Sequence, residues 1–480
     1  MTAPAPTSTD ELALLDATAQ AALVRSGDVT PLELVDAAIE RIERVDPALN
    51  AVVIRDFEGA RRAASAPDLP NGPLRGVPFL LKDLGATQAG LPTYLGNRRL
   101  RQLDHRATTD TELGARFRRA GLVTLGKTNV PELGSSPTTQ PSSFGPTHNP
   151  WDPTRSPAGS SGGAAAAVAA GLVPVAHAND GGGSIRLPAS WCGLVGLKPS
   201  RGRLPWPEWI DRMTVELVVA RSVRDAAVVL DATHGSVPAD LYQLAPPAGS
   251  YLDELGRDTG ALRVALLTDG GGYAVDAECV VAAEDAAVQL EGLGHHVEPV
   301  DGDVLFGGDG RINGSLWMAA IARHVDRLGE LAGRPLTAEE VEPYNWAAAE
   351  RHRSMPVGTW LAMQERQQDW ARRALDWFAR FDVLVSPTAG CPALPTDDLW
   401  PAPDRPWKIG ETYGRVGRFT LPFNATGQPA ISLPLHRTPG GLPVGVQLVA
   451  GIGREDLLLR LAARLEEARP WAEHRPPVHA

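Results

Sequence analysis

Two serines flanked by glycines are the residues of this sequence best suited to nucleophilic chemistry. Ser160 lies in AGSSGG and Ser184 in GGGSIR, 24 positions further on. Glycine tolerates positive φ and lets a backbone approach a ligand closely. A hydroxyl held in such a loop becomes a nucleophile when a nearby base removes its proton. The search therefore turns to side chains that could act as that base.

Two side chains are candidates for the base. Lys82 ends the apolar run PFLLK, which is typical of a strand buried on both faces. A lysine at a strand end can also snorkel into water, with no role in chemistry. His177 lies on a predicted strand just before the second glycine cluster, where a lone histidine is more often a core residue. Local sequence leaves both candidates open, although serine with lysine is a known variant of serine nucleophile chemistry.

Motifs of other kinds of site are missing from the sequence. The glycine clusters are not followed by GK[ST], and DGGGY after a predicted strand lacks the GxGxxG spacing of a dinucleotide site. Ser184 is not in a GxSxG elbow. There is no HExxH, and the three cysteines form no CxxC pair. We therefore predict an enzyme that uses neither a cofactor nor a metal.

Composition and charge restrict the partners of the protein. Apolar residues make up 43 % of the 480 residues and charged residues 21 %, which are values of a globular protein. The formal net charge of -11 argues against nucleic acid or an anionic membrane as a partner. The start, MTAPAPTSTDEL, lacks the basic and apolar regions of a signal peptide, and we expect its first seven residues to be loose. These features predict a cytoplasmic protein.

Strand and helix patterns alternate along the chain and must position the two serines and their base. Helices are predicted at 10–26, 31–46, 109–120, 277–293 and 455–469, with a mostly helical elaboration at 311–380. Strands are predicted at 50–54, 78–82, 122–126, 262–268, 295–300, 381–385, 428–435 and 444–450. No linker or repeat divides the chain. The pattern favours one large α/β domain over residues 1–480.

The segment 156–204, which contains both serines, resembles the signature of the amidase signature family. Other stretches carry the same resemblance in the expected order along the chain. They are GVPFLLKDL, LGKTNVPE, RSVRD, FNATGQPAISLPL and GLPVGVQLVA. The resemblance implies a single α/β domain in which a central mixed, twisted sheet is covered by helices on both faces. It also implies a hydrolase that acts on amides of small molecules.

The resemblance further implies a Ser–cis-Ser–Lys triad. Lys82 would be the base, Ser160 the bridging serine behind a cis peptide bond, and Ser184 the nucleophile. To accept a proton Lys82 must be neutral, and burial without a carboxylate partner lowers the pKa of an amine from ~10.4 towards 7. Asp83 need not oppose this, because successive side chains of a strand point to opposite faces.

The glycine cluster before the nucleophile would stabilise the oxyanion through backbone N–H groups. The predicted donors are those of Gly181, Gly182, Gly183 and Ser184. Ser161, Asp180 and Arg186 are predicted to support the shape of the site without touching substrate. Cys192 is predicted to be a core residue.

Within the family, the chain resembles the branch that cleaves amide bonds in aminohexanoate-derived by-products of nylon. The stretches ATAQAALVRSGDVT, PVAHANDGGGSIRLPAS and GELAGRPLT carry this likeness. Two predicted substrate-binding positions depart from that branch. Ser135 stands where it has an asparagine, and Trp317 where it has a cysteine. A bulky indole should reshape the pocket, so the substrate is left open.

Other activities on the same residues also stay open. Acyl transfer through serine does not exclude an ester or a carbamate as substrate. The chain lacks the EVKRRI-like stretch of a glutaminase subunit of an amidotransferase, which makes that role the weakest alternative. The oligomeric state is undetermined at this stage, a homodimer included.

Overall fold

The computed structural model describes residues 8–205, 212–307, 311–399, 405, 406 and 408–480. Residues 1–7, predicted to be loose, lie outside this part of the chain. Within it, eleven strands join one sheet. They are β1 (Val52–Arg55), β2 (Pro78–Lys82), β3 (Val123–Thr128), β4 (Val175–Asp180), β5 (Val195–Lys198), β6 (Val215–Ala220), β7 (Arg263–Leu266), β8 (His296–Pro299), β9 (Val383–Pro387), β10 (Ala430–Arg437) and β11 (Pro443–Ala450).

The sheet is mixed, with the strand order β1-β3-β2-β4-β6-β5-β10-β11-β9-β7-β8. Strand β2 runs parallel to both of its neighbours, β3 and β4. Strand β10 runs antiparallel to both β5 and β11, and parallel pairing returns from β9 to β8. The C-terminal ends of β2 and β4 therefore lie at the same edge of the sheet. Lys82 and the second glycine cluster meet there.

Helices connect the strands and pack against the sheet. They are α1 (Thr9–Leu14), α2 (Ala17–Ser26), α3 (Pro31–Val45), α4 (Phe57–Ser65), α5 (Arg98–Gln102), α6 (Glu112–Arg119), α7 (Gly162–Ala169), α8 (Arg186–Cys192), α9 (Val223–Thr233), α10 (Tyr251–Glu254), α11 (Ala277–Gly292), α12 (Asp303–Phe306), α13 (Ile312–Leu331), α14 (Pro343–His352), α15 (Val357–Phe378), α16 (Lys408–Val416), α17 (Leu421–Thr426) and α18 (Glu455–Ala468). Among the described residues, none of these helices is long and apolar enough to cross a membrane.

Alternate residues of the strands pack in different hydrophobic clusters, so both faces of the sheet are covered. On β9, Val383 and Val385 belong to a large cluster that includes residues of α3, α9, α11 and α18. Leu384, between them, packs with Trp370 of α15 in another cluster. This is the alternation expected of a strand buried on two faces. The predicted α/β class with a mixed sheet between helices is confirmed. Since one sheet collects strands from both halves of the chain, we propose that residues 1–480 form a single domain.

Several elements differ from their predictions for local reasons. The helix predicted at 10–26 is two helices, because Asp16 accepts a hydrogen bond from the N–H of Ala19 and caps α2. The helix predicted at 31–46 is α3, and it begins with a capping box in which Thr30 and Glu33 are bonded reciprocally. Strands β5 and β6 escaped prediction because they are short apolar runs without alternation. The segment 311–380 is mostly helical, as predicted, and consists chiefly of α13, α14 and α15.

Candidate active site

Lys82 ends strand β2 with its side chain fully buried, at 0 % exposure. Its Nζ lies 2.7 Å from Ser160 Oγ and 2.8 Å from Ser161 Oγ. The third partner is Asn179 Oδ1, at 2.6 Å, on the neighbouring strand β4. All three partners are neutral. The amine is therefore removed from water without a carboxylate hydrogen-bonded to it.

Ser160 and Ser161 stand directly before helix α7, in a loop that packs tightly against its surroundings. The peptide bond between Gly159 and Ser160 is cis, as the family resemblance implied. A Cβ atom on Gly159 would lie 2.5 Å from the carbonyl oxygen of Thr138. Only glycine fits at this contact, which brings the hydroxyls of Ser160 and Ser161 up to the amine.

The donors and acceptors around Lys82 define the direction of its hydrogen bonds. Ser161 Oγ donates to the backbone oxygen of Asn179 at 3.2 Å, so it accepts from the amine. Asn179 Oδ1 can only accept. A neutral amine has two N–H groups, which these partners use, and one lone pair. In the charged state the amine donates to Ser160 Oγ as well. In the neutral state its lone pair would face Ser160, whose hydroxyl would then donate to Nζ, and this is the direction of proton transfer that a base requires.

The pKa of Lys82 fits this neutral state. Burial lowers it from 10.5 to about 7, although the negative charges of Glu216 and Asp180 act in the opposite direction. Neither carboxylate is among the hydrogen-bond partners of the amine. A substantial fraction of the protein therefore carries an uncharged Lys82 near neutral pH.

Ser184 lies in the loop 181–184, which joins strand β4 to helix α8. Ser184 and Ser160 line one cavity, which we call the catalytic cavity. Ser184 is 8 % exposed, whereas Lys82 is sealed at 0 %. The catalytic cavity is also lined by Leu84, Leu133, Gly134, Asn179, Gly181, Thr214, Trp317 and His324. A small molecule that enters it meets the two hydroxyls, while the amine stays behind them.

A buried ion pair supports the loop that carries Ser184. Arg186 Nε donates to Asp180 Oδ2 and Arg186 Nη2 to Asp180 Oδ1, both at 2.9 Å. Burial alone would raise the pKa of Asp180, but the charge and hydrogen bonds of Arg186 outweigh it and hold the pKa below its usual range. Both side chains are fully buried and neither lines the catalytic cavity. We therefore propose that Asp180 and Arg186 hold the loop of Ser184 in shape and do not touch the substrate.

The N–H groups of the loop are not equivalent. That of Gly183 donates to Asp180 Oδ1 at 2.6 Å. Because a carboxylate oxygen already accepts this hydrogen, we favour the other three N–H groups as oxyanion donors, and the role of Gly183 stays a prediction. In the part of the chain that the structure describes, no hydrogen bond engages the N–H of Gly181, Gly182 or Ser184. These three stay our predicted donors.

The two predicted substrate-binding residues lie in different places. Trp317, on helix α13, lines the catalytic cavity, and its ring atom Cζ3 would be 2.6 Å from a Cβ atom on Gly181. Tyr413, on helix α16, covers Gly182 in the same way. Ser135 instead lines a second cavity, and its Oγ donates to the backbone oxygen of Glu132 at 3.0 Å. The structure thus brings Trp317 to the triad but not Ser135.

His177, the alternative base, is buried in strand β4 and does not line the catalytic cavity. Its Nδ1 accepts the backbone N–H of Lys82 at 3.2 Å, and its Nε2 lies 3.5 Å from Glu216 Oε2. Asp83 points away from the amine of Lys82, as predicted, and lies 3.8 Å from Lys127 Nζ. The contacts of His177 favour a structural role over that of a base.

Sequence reasoning missed two residues of the site. Asn179 bonds the amine of Lys82, and a signal existed, because a polar residue at that position shares the face of a fully buried strand with His177. His324 lines the catalytic cavity, and burial lowers its pKa to about 4, with Arg323 acting in the same direction. Nothing in the sequence distinguishes His324 from an ordinary helix residue. Cys192 is buried in the core, and no cluster of metal-ligating side chains occurs among the residues described.

Comparisons with known proteins match this site to one family. The sequence pattern of the family described as Amidase matches residues 33–459. The chain is 42 % identical to the 6-aminohexanoate-cyclic-dimer hydrolase of Paenarthrobacter ureafaciens, over 96 % of this chain and 96 % of that protein. It is 36 % identical to the acylamidase of Rhodococcus erythropolis, over 96 % of this chain and 97 % of that one.

Solved structures agree with the sequence comparison. A structure of 6-aminohexanoate cyclic dimer hydrolase superposes with a TM-score of 0.93 and 40 % identity, covering 97 % of this chain and 99 % of that one. A bacterial aryl acylamidase of the amidase signature family superposes with a TM-score of 0.87 and 29 % identity, covering 96 % and 97 %. This protein therefore belongs to the amidase signature family, and it is a hydrolase of carbon–nitrogen bonds in amides.

Proposed function

We propose that Ser184, Ser160 and Lys82 carry out amide hydrolysis through an acyl-enzyme. Neutral Lys82 accepts the hydroxyl proton of Ser160, which takes the proton of Ser184, and Ser184 Oγ attacks the carbonyl carbon. The observation that carries this proposal is the fully buried amine of Lys82, whose Nζ lies 2.7 Å from Ser160 Oγ and has no carboxylate among its hydrogen-bond partners. A base has to be neutral and within hydrogen-bond reach of the proton it accepts, and the lowered pKa and short distance of Lys82 support both conditions.

The second half of the reaction returns the protons. The carbonyl oxygen becomes negative in the tetrahedral intermediate and accepts from the N–H groups of Gly181, Gly182 and Ser184. Each such donor contributes about 3–4 kcal/mol to the transition state. Ser160 then gives its proton to the leaving nitrogen as the C–N bond breaks, and Lys82 returns one to Ser160. Water hydrolyses the ester at Ser184 by the same steps and regenerates the free hydroxyl.

For the substrate, we propose small amides of the aminohexanoate type. The support is the 42 % identity to a 6-aminohexanoate-cyclic-dimer hydrolase. Trp317 narrows the catalytic cavity above Gly181, so we expect a substrate range that differs from that of the relative. We further propose that the chain acts without a partner subunit. An ester or carbamate hydrolase on the same triad is the alternative.

The test is turnover by the purified protein alone, measured with aliphatic amides, anilides, the cyclic dimer, matched esters and glutamine. We expect amide hydrolysis, with kcat lowered about 10⁴-fold or more in Ser184→Ala. Ser26→Ala is the matched control, since Ser26 is exposed at the end of α2, and it should retain full activity. Unchanged turnover in Ser184→Ala would contradict the mechanism. Esters hydrolysed without any amide would favour the alternative.

A further inference from the structure

A second, small cavity of about 30 Å³, enough for one polar group or one or two waters, lies beside the triad. The two cavities are separated by the turn at 132–135: Leu133 and Gly134 line the catalytic cavity, whereas Glu132 and Ser135 line the second one. Thr138 also lines the second cavity, and its backbone is the one that packs against Gly159. A substrate group in this cavity is therefore a short distance from the reacting serines.

Three oxygen atoms of residues that line the second cavity have no hydrogen-bond partner among the described residues. They are Thr138 Oγ1, Gln140 Oε1 and Asn345 Oδ1. Their residues are 2 %, 6 % and 0 % exposed, respectively. Buried polar atoms in folded proteins nearly always have a partner, either in the protein or in ordered water, so three unpaired oxygens among the residues around one cavity call for a donor there. We call this space the acceptor cavity.

The orientation of the two amides follows from their nitrogens. Asn345 Nδ2 donates to Glu132 Oε1 at 2.9 Å. Gln140 Nε2 donates to the backbone oxygen of Thr396 at 3.0 Å. Since both nitrogens already face acceptors, the unpaired atoms are carbonyl oxygens, which can only accept. The ligand that completes this cavity has to supply hydrogen-bond donors.

Charge in the acceptor cavity favours a cation. Glu132 and Glu342 line it, and neither takes part in an ion pair among the described residues. Glu132 is held by neutral groups only, namely Asn97 Nδ2 at 2.7 Å, Asn345 Nδ2 and the backbone N–H of Glu342. Burial, and then the charge of Glu342, raise the pKa of Glu132 to about 7. A positive group bound nearby would stabilise the ionised carboxylate of Glu132.

We propose that the acceptor cavity binds a primary ammonium group carried by the substrate, at the far end of an alkyl chain from the scissile amide. An ammonium group has three N–H donors, which equals the number of unpaired oxygens in the cavity. This inference rests on the proposed function, because it assigns the substrate class of the same site. A cluster of ordered water would also satisfy the three oxygens and is the outcome that would overturn it.

The test uses two pairs of compounds in which a methyl group replaces the ammonium. One pair, 6-aminohexanoyl anilide and heptanoyl anilide, places the group on the acyl side of the amide. The other, N-(6-aminohexyl)acetamide and N-heptylacetamide, places it on the amine side. At about pH 8 the ammonium is charged. We expect kcat/KM to favour the ammonium compound about tenfold in one pair. Ratios of one or below in both pairs would overturn the proposal.

Two matched variants test whether the preference for the ammonium compound arises in the acceptor cavity. Thr138→Val replaces the hydroxyl with a methyl group of similar size and should reduce the ammonium preference about fivefold. Thr124→Val makes the same change at another buried, unpaired hydroxyl, on strand β3, and should leave the preference unchanged. Equal preference in the two variants would show that the cavity is not the site.

Equilibrium binding separates this inference from the proposed function. Calorimetric affinities of the four compounds for Ser184→Ala report the ammonium preference without turnover. Tighter binding of an ammonium compound, without hydrolysis by the unmodified protein, would support the acceptor cavity and contradict the proposed substrates. Equal affinities within each pair, together with hydrolysis of all four, would overturn the acceptor cavity and leave the amidase mechanism intact.

Discussion

Two buried lysines on neighbouring strands have opposite surroundings. Lys82 on β2 and Lys127 on β3 are both 0 % exposed, and the two strands pair in parallel. Lys82 bonds only hydroxyl and amide oxygens. Lys127 bonds Thr93 Oγ1 at 2.6 Å and lies 3.8 Å from the carboxylate of Asp83. The same residue type thus serves two purposes in one sheet.

The difference lies in the carboxylate of Asp83, which stands within ion-pair distance of Lys127 and has no counterpart at Lys82. Burial lowers the pKa of both amines, to about 7 for Lys82 and to about 8 for Lys127, where Asp83 opposes the effect. Burial raises the pKa of Asp83 to about 6, against the charge of Lys127. Each charge of the second pair favours the charged form of the other, so we expect this pair to be ionised and to have a structural role. A buried lysine is suited to act as a base where all of its hydrogen-bond partners are neutral.

The largest expected effect comes from replacing the amine that has neutral partners. Lys82→Met removes the base, so we expect kcat/KM to fall about 10³-fold or more. The unfolding free energy should change by less than about 2 kcal/mol, because relief from burying an amine opposes the loss of its hydrogen bonds. Amide turnover and urea denaturation measure the two effects. Activity within tenfold of the unmodified protein would remove Lys82 from the mechanism.

Replacing the paired lysine should reverse this pattern. Lys127→Met leaves Asp83 as an uncompensated buried charge, and we expect a loss of about 3–5 kcal/mol in unfolding free energy. Activity per folded molecule should stay within a few-fold. The double variant Lys127→Met with Asp83→Asn removes both charges and should recover at least half of the loss. A single variant as stable as the unmodified protein would contradict the ion pair.

The smallest expected effect is a shift in pH dependence. Since Lys82 must be neutral, kcat/KM should fall as pH decreases through about 7 and stay level above it. Glu216 raises the pKa of Lys82, as does Asp180 to a lesser extent. Glu216→Gln should therefore move the acidic limb to lower pH. A pH–rate profile of both proteins tests this, and a limb that stays in place would show that Glu216 does not act on the base.

Much of the fold, and the contact of Lys82 with Ser160, could be predicted because the signals are local. PFLLK is apolar throughout and ends on lysine, and the strand occupies those same five residues, 78–82. The bridging and nucleophilic serines stand in glycine clusters that few other functions require. The capping box of α3 depends on residues three positions apart. Each of these features is complete within one short stretch.

What could not be predicted depends on contacts between distant stretches. Asn179 is a partner of Lys82 only because β2 and β4 lie side by side. The N–H of Gly183 is occupied because the carboxylate of Asp180 turns back on the loop. The helix break before α2 reflects Asp16, which also accepts from Arg224 at 2.7 Å, far away in the chain. Tertiary partners of this kind leave no periodicity in the sequence.

The aromatic rings that cover the loop of Ser184 come from a different part of the chain than the residues of the proposed triad. The proton-transfer groups come from residues 82–184, whereas the aromatic rings above Gly181 and Gly182 belong to Trp317 and Tyr413. Neither ring supplies a partner to the amine of Lys82. We therefore expect that substitutions on the two helices α13 and α16 change substrate selectivity while the residues of the proposed proton transfer stay unchanged. Substrate contacts and proton transfer would then be able to change independently of each other.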